Sequence, residues 1–101
     1  MRNDGTLPGL ADGDVVEVPA RVGPVGPVPV PSAPLAPEML GLVQHAKAYE
    51  HLAIRAAVSG DHHVALRALL ANPLVGDFRV AESLLESLLD ANRHHLPRFA
   101  A

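Results

Sequence analysis

Residues 81–90 read AESLLESLLD, and this decamer decides the fold. Ala81, Leu84, Leu85, Leu88 and Leu89 recur at i, i+3, i+4, i+7 and i+8, the spacing of one apolar helix face, with Glu82 and Glu86 on the solvated side. Asp77 is the N-cap that starts this helix, and Pro97 terminates it. Its last turn is expected to hold Arg93, His94 and His95, which suit the negative end of the helix dipole. Upstream, Asn72-Pro73 stops a second helix that begins at the N-cap Asp61 and carries Val64, Ala65, Ala68 and Leu69 on one side. A third segment, from Pro37 to about Ser59, has Leu42, Ala46, Tyr49, Ala53, Ala56 and Ala57 along one stripe, widened by Met39 and Val43. Gly60 ends it.

The pattern changes before Pro37. Val16, Val18, Ala20 and Val22 alternate with Val15, Glu17, Pro19 and Arg21, a period of two that predicts a strand over 14–22, with Pro19 at its end or on an edge. Seven prolines then fall from Pro19 to Pro37 inclusive, six of them in VGPVGPVPVPSAPLAP, which predicts an extended, polyproline-like connector. Pro24-x-x-Pro27 and Pro31-x-x-Pro34 have the spacing of a ligand for a Pro-binding domain, but without a flanking arginine pattern the stretch reads as a stiff linker. Residues 1–14 are loop, with turns at Asp4-Gly5 and Asp12-Gly13. The fold class is therefore α+β and mostly α. It divides into 1–36 (loop, strand and connector) and a three-helix segment over 37–101.

Composition narrows the function. Net charge is −3, and no basic stripe interleaves with aromatics, so nucleic-acid binding has no electrostatic support. There is no cysteine, which removes disulfides, thiolate catalysis and Cys-based metal sites. The longest apolar runs fall short of the ~20 residues that span a bilayer, and no signal region follows Met1-Arg2, so a soluble, cytoplasmic chain is expected. His62-His63 and His94-His95 are adjacent pairs whose side chains diverge by about 100° on a helix, so neither pair chelates one ion. Glu82 and Glu86 lie on one helix, whereas glycosidic carboxylates flank a substrate from separate elements. Gly23 and Gly26 open no helix after a strand, so they form no phosphate loop. By these rules the chain has no catalytic, cofactor or metal residue of its own.

One ordered series of short motifs adds a resemblance. Asn3-x-Gly5, Leu10-x-Asp12 and Val15-Val16-Glu17-Val18-Pro19 come first. Tyr49-Glu50-x-Leu52-Ala53, Ala56-Ala57-Val58-Ser59-Gly60-Asp61 and Ala65-Leu66-x-Ala68-Leu69 follow. Asn72-Pro73-Leu74-Val75 and Ala91-Asn92-x-x-His95-Leu96-Pro97-x-Phe99 close the series. Over almost its whole length the chain resembles the C-terminal region of family 4 glycoside hydrolases, and Asn72-Pro73-Leu74-Val75 with the Leu96-Pro97-x-Phe99 ending resembles the 6-phospho-β-glucosidase branch. The resemblance implies part of a lactate/malate dehydrogenase-like C-terminal domain.

It also implies a parent enzyme that uses NAD and Mn²⁺: oxidation at sugar C3 acidifies the C2 proton, a tyrosine removes it, and elimination and reduction follow. The glycine loop, Cys and His ligands and base of that scheme have no counterpart here, and Tyr49 does not match the base. The resemblance puts the Asn3–Gly5 loop beside the substrate pocket, leading into the last strand, with neither residue catalytic; Glu17 and Pro19 match structural positions. The chain is thus expected to be a glycosidase fragment, inactive alone, with self-association or the missing N-terminal part of the enzyme as partner. The other reading is a free-standing helical interaction module derived from that domain.

Overall fold

Asn3 is the largest fully buried side chain of the molecule, which makes the first sixteen residues an ordered knot rather than a plain loop. The computed structural model describes residues 1–100, which divide into two units, Met1–Gly41 and Leu42 onward. In the first unit the backbone folds back on itself: Asn3 N–H donates to Asp14 O (2.7 Å), Asp4 N–H to Asp12 O (3.0 Å) and Val16 N–H to Met1 O (2.8 Å). Arg2 and Val15 form an isolated antiparallel bridge, and Val16 is buried.

The expected α+β, mostly helical class holds, but the strand assignment shifts. Residues 14–22 are not one strand. They supply the bridge at Val15 and, after residues 16–19, which belong to no strand, β1 (Ala20–Gly23). Its partner is β2 (Gly26–Pro29), which lies in the proline-rich segment read as a connector. The two are antiparallel, with Ala20 opposite Pro29, Arg21 opposite Val28 and Val22 opposite Pro27. The prolines led this stretch to be read as a polyproline-like connector, and the register shows how it nevertheless joins a ladder. Val30 N–H donates to Pro19 O (2.8 Å), so the inward-bonded residues of β2 are Val28 and its neighbours two residues away. Pro27 and Pro29 fall between them, at positions whose N–H would point away from β1. Prolines spaced by two thus cost the hairpin no internal bond.

The helices follow the sequence closely. The first, α1 (Pro37–Ser59), has the expected bounds. The second, α2 (His62–Ala71), is capped by Asp61, whose Oδ1 accepts from His63 N (2.8 Å) and Val64 N (3.1 Å). Its stop at Asn72-Pro73 is an Asx turn, with Leu74 N–H donating to Asn72 Oδ1 at 2.9 Å. The third, α3 (Phe78–Asn92), is capped by Asp77 through Val80 N (3.0 Å). Arg93 is its C-cap, and His94 and His95 lie beyond it in a turn, so the expected cationic last turn is not formed. Dipole compensation is worth only tenths of a kcal/mol at an exposed end and does not hold a helix open. A short 3₁₀ turn, Pro97–Phe99, ends the described chain.

In the second unit α2 packs on α3. The residues buried there are Ala56, Ala65, Ala68 and Ala81; the leucines of the α3 stripe are half-buried or, as with Leu88, exposed. Leu42 and Met39 of the α1 stripe are exposed as well.

Candidate functional site

Two places gather the side chains singled out in the sequence. In the first unit, the Asn3 carboxamide is bonded through both its nitrogen and its oxygen to its own loop. Its Nδ2 faces the carbonyls of Leu7 (3.1 Å), Leu10 (3.2 Å) and Ala11 (3.3 Å), and its Oδ1 accepts from Leu7 N (2.7 Å). Asp14, also buried, accepts from Ala11 N at 3.1 Å. Gly5, with φ 81°, follows Asp4 at φ 42° in a turn that L side chains adopt at a cost. Gly5 shapes the turn and Asn3 pins it. Asn3→Ala is expected to strand these backbone groups and cost about 2–3 kcal/mol. The check is amide exchange at Leu7, whose protection should fall by about 30-fold or more.

The second place is an apolar groove of about 180 Å³ in the helical unit, lined by residues of all three helices and the C-terminal turn. Tyr49, Ala56, Ala68, Leu85, Leu96 and Phe99 contribute to its walls. Its size follows from the sequence, because small alanines on α1 and α2 face leucines of α3 and leave a gap that no large side chain fills. Nothing in the lining can act as acid, base or nucleophile except the Tyr49 phenol.

The C-terminal turn is fastened over the α1–α2 corner, a feature absent from the sequence expectations. Arg98 donates from its guanidinium to Val58 O, one of the carbonyls that the end of α1 leaves unpaired. His62 Nε2 lies 3.1 Å from Phe99 O; a carbonyl only accepts, so this nitrogen carries the proton. The His62 and Phe99 rings pack with centroids 5.5 Å apart. Gly60, at φ 74°, has the Arg98 carbonyl where a Cβ would stand. The sequence signalled Gly60 only as a helix stop; its contact partner lies 38 residues away (98 less 60) and has no local signature.

Glu82 and Glu86 are exposed, and share an open surface groove with His62, His63, Leu66 and Leu85. Among the described residues no three His, Cys, Asp or Glu side chains converge as a metal site. The Asp61 carboxyl is held below its ordinary range, chiefly by the Val64 N–H and further by the His63 N–H and the two imidazoles, against some desolvation. Because the folded value is the lower one, the cap contributes stability above the ordinary carboxylate range and loses it as pH falls through the folded value. Circular dichroism below that range should show α2 weakening in the wild type. Asp61→Asn, which keeps the acceptor without the titration, should remove this acid dependence.

No helix among the described residues is long and apolar enough to cross a membrane. The sequence model of the family 4 glycosyl hydrolase C-terminal domain matches residues 1–75. The chain is 38% identical over 97 residues to a probable 6-phospho-beta-glucosidase of Bacillus subtilis, covering 96% of this chain and 22% of that protein. It is 36% identical over 96 residues to the 6-phospho-beta-glucosidase BglT of Thermotoga maritima, covering 94% and 23%. A phospho-alpha-glucosidase of Clostridium acetobutylicum, PagL, is 36% identical over 91 residues, covering 90% and 20%. Among solved structures, a 6-phospho-alpha-glucosidase from gut microorganisms in complex with NAD and glucose-6-phosphate superposes with a TM-score of 0.88 at 30% identity, over 96% of this chain and 22% of that one. A second such enzyme, in complex with NAD and Mn²⁺, gives 0.86 at 25% identity, over 92% and 22%. The chain spans about a fifth of the length of the relatives it matches.

Proposed function

Since the chain belongs to the family 4 glycosyl hydrolases, as their C-terminal domain, we propose that it is the folding and packing complement of a 6-phospho-β-glucosidase-type enzyme and supplies none of its reacting groups. The observation that carries this reading is the match over more than nine-tenths of the chain to about a fifth of each enzyme. The β assignment rests on Asn72-Pro73-Leu74-Val75 and the Leu96-Pro97-x-Phe99 ending; α-glucosidases of similar identity are its competitor.

The residues of this chain do not fit NAD or Mn²⁺. Gly23 and Gly26 belong to a hairpin and open no helix, cysteine is absent, and among the described residues no three His, Asp or Glu side chains are grouped to hold a metal ion. No step of the reaction is therefore assigned to them, and the cofactor chemistry falls to residues outside the chain. A sugar phosphate is charged and does not cross a bilayer unaided, so the enzyme acts where its substrate is held, which favours the cytoplasm.

A chimera tests the reading: this chain replaces the matching segment of the Bacillus subtilis relative. Hydrolysis of an aryl 6-phospho-β-glucoside with NAD and Mn²⁺ should stay within about tenfold of the parent, while the chain alone turns over nothing. A folded chimera without activity, or turnover by the isolated chain, would overturn it. Activity confined to the α-anomer would correct the branch and leave the family role.

A further inference from the structure

The loop of residues 3–14 contains Asp-Gly twice, and the two copies stand in turns of opposite hand. Each pair fills the centre of a four-residue turn. Thr6 N–H donates to Asn3 O (2.7 Å) around Asp4-Gly5, and Asp14 N–H donates to Ala11 O (3.0 Å) around Asp12-Gly13. Asp4 and Gly5 both have positive φ, 42° and 81°, which is the type I′ form. Neither Asp12 nor Gly13 does, which makes theirs a type I turn. In both turns the glycine N–H takes no part in the closing bond. A glycine nitrogen is not shielded by a Cβ of its own residue, so it can reach the carboxyl of the aspartate before it. Closing that five-membered ring brings the nitrogen into line with the aspartate Cβ, which for an L residue needs a strongly negative ψ. In a type I turn the first central residue already has ψ of about −30°, on the way to closure. In the mirror-image type I′ turn it has about +30° and must first cross to the other side. The Asp4 carboxylate is also drawn back towards Arg2, at 3.4 Å.

We propose that Asp12 is a site of spontaneous isomerisation to isoaspartate, and that Asp4 is spared although its dipeptide is the same. The Gly13 nitrogen attacks Cγ of Asp12 in its neutral acid form, and the N–H proton leaves with the carboxyl hydroxyl as water. The product is a cyclic imide. Water then adds at one of its two carbonyls. Opening the Cγ–N bond restores aspartate. Opening the bond from nitrogen to the main-chain carbonyl leaves the chain running through Cβ and Cγ, with a new α-carboxylate. Nothing is oxidised or reduced, and the water lost is regained. The lesion falls where the knot crosses itself. Asp12 O, which accepts from Asp4 N–H (3.0 Å), becomes part of the new carboxylate. The added methylene also moves Asp14 out of register with Asn3, whose N–H it accepts at 2.7 Å, and shifts the Ala11 carbonyl that Asn3 Nδ2 holds. Isomerisation therefore loosens the loop that Asn3 pins. The bonds that decide this lie within residues 3–14 and are independent of the glycosidase reading.

Ageing of the whole chain at neutral pH in ¹⁸O-water, followed by peptide mapping, tests it, because each passage through the imide adds one ¹⁸O. Labelled isoaspartate should accumulate at Asp12 about tenfold or more faster than at Asp4. A Cβ at position 13 meets no atom within 4 Å and needs no positive φ. Gly13→Ala should therefore fold normally and slow the reaction about tenfold or more by shielding the nitrogen. Asp12→Asn closes to the same imide with ammonia as the leaving group, and should form the same isoaspartate faster. In the aged fraction, exchange protection of the Asn3 and Leu7 amides should fall while the helical circular dichroism is unchanged. Equal labelling at Asp4 and Asp12, no label at Asp12, or a Gly13→Ala chain that reacts as fast as the wild type would each overturn the proposal.

Discussion

Ala68→Asp is expected to unfold the helical unit, with a loss of about 3–5 kcal/mol. Ala68 is 3% exposed, on the face of α2 that lines the apolar groove with Tyr49, Leu85 and Leu89. The groove offers a carboxylate no cation, and the Tyr49 phenol is the one polar side chain in its lining. A carboxylate at 68 also stands in the last turns of α2, where the helix dipole disfavours negative charge. Because stabilities of small domains are themselves of this size, little cooperative unfolding should remain. Thermal melting followed at 222 nm is the measurement. An unchanged transition would mean that the α2–α3 contact does not support the fold. Ala68→Ser, which is nearly isosteric and uncharged, should cost much less and serves as the comparison.

Gly60→Val is expected to have the next largest effect, and it acts at a distance. The residue sits at φ 74°, where a β-branched side chain costs about 1–2 kcal/mol before any contact is counted. Its Cβ would also occupy the space of the Arg98 carbonyl, a backbone atom that cannot rotate away. The turn of Pro97–Phe99 must then leave the α1–α2 corner. Arg98 loses Val58 O and His62 loses Phe99 O together. With about 3 kcal/mol lost in all, the melting temperature of a unit this size should fall by about 10–20 °C. Limited proteolysis near Arg98 should accelerate in parallel. Arg98→Ala, which removes one bond and leaves the backbone in place, should reproduce only a part of that change. If the two variants behave alike, the backbone contact at Gly60 carries nothing.

The helical half was legible because its information is local. Asp61 and Asp77 cap, Gly60 and Asn72-Pro73 stop, and the leucine spacing of 81–90 names a face; each decision is made within one or two turns, and the structure repeats it. The end of α3 was misplaced because Arg93, His94 and His95 suit a dipole preference that is weaker than the turn leading to Pro97. The candidate loop was legible as a loop and not as a knot. Nothing in Asn3-x-Gly5 states that one carboxamide will bind the backbone of Leu7, Leu10 and Ala11. The proline-rich stretch shows the limit most clearly. Composition alone made it a connector. The parity of Pro27 and Pro29 against the β1 register made it a strand with one sealed edge.

The sequence by itself determined the three helices, the Asp61 and Asp77 caps and the family to which they belong, since propensity, capping and motif order are written residue by residue. Only the tertiary structure decided which prolines face outward, what buries Asn3, and why position 60 tolerates no side chain. Those answers depend on partners that meet through register and chain return, with separations of up to 38 residues (98 less 60). No local preference encodes which backbone atom will arrive there.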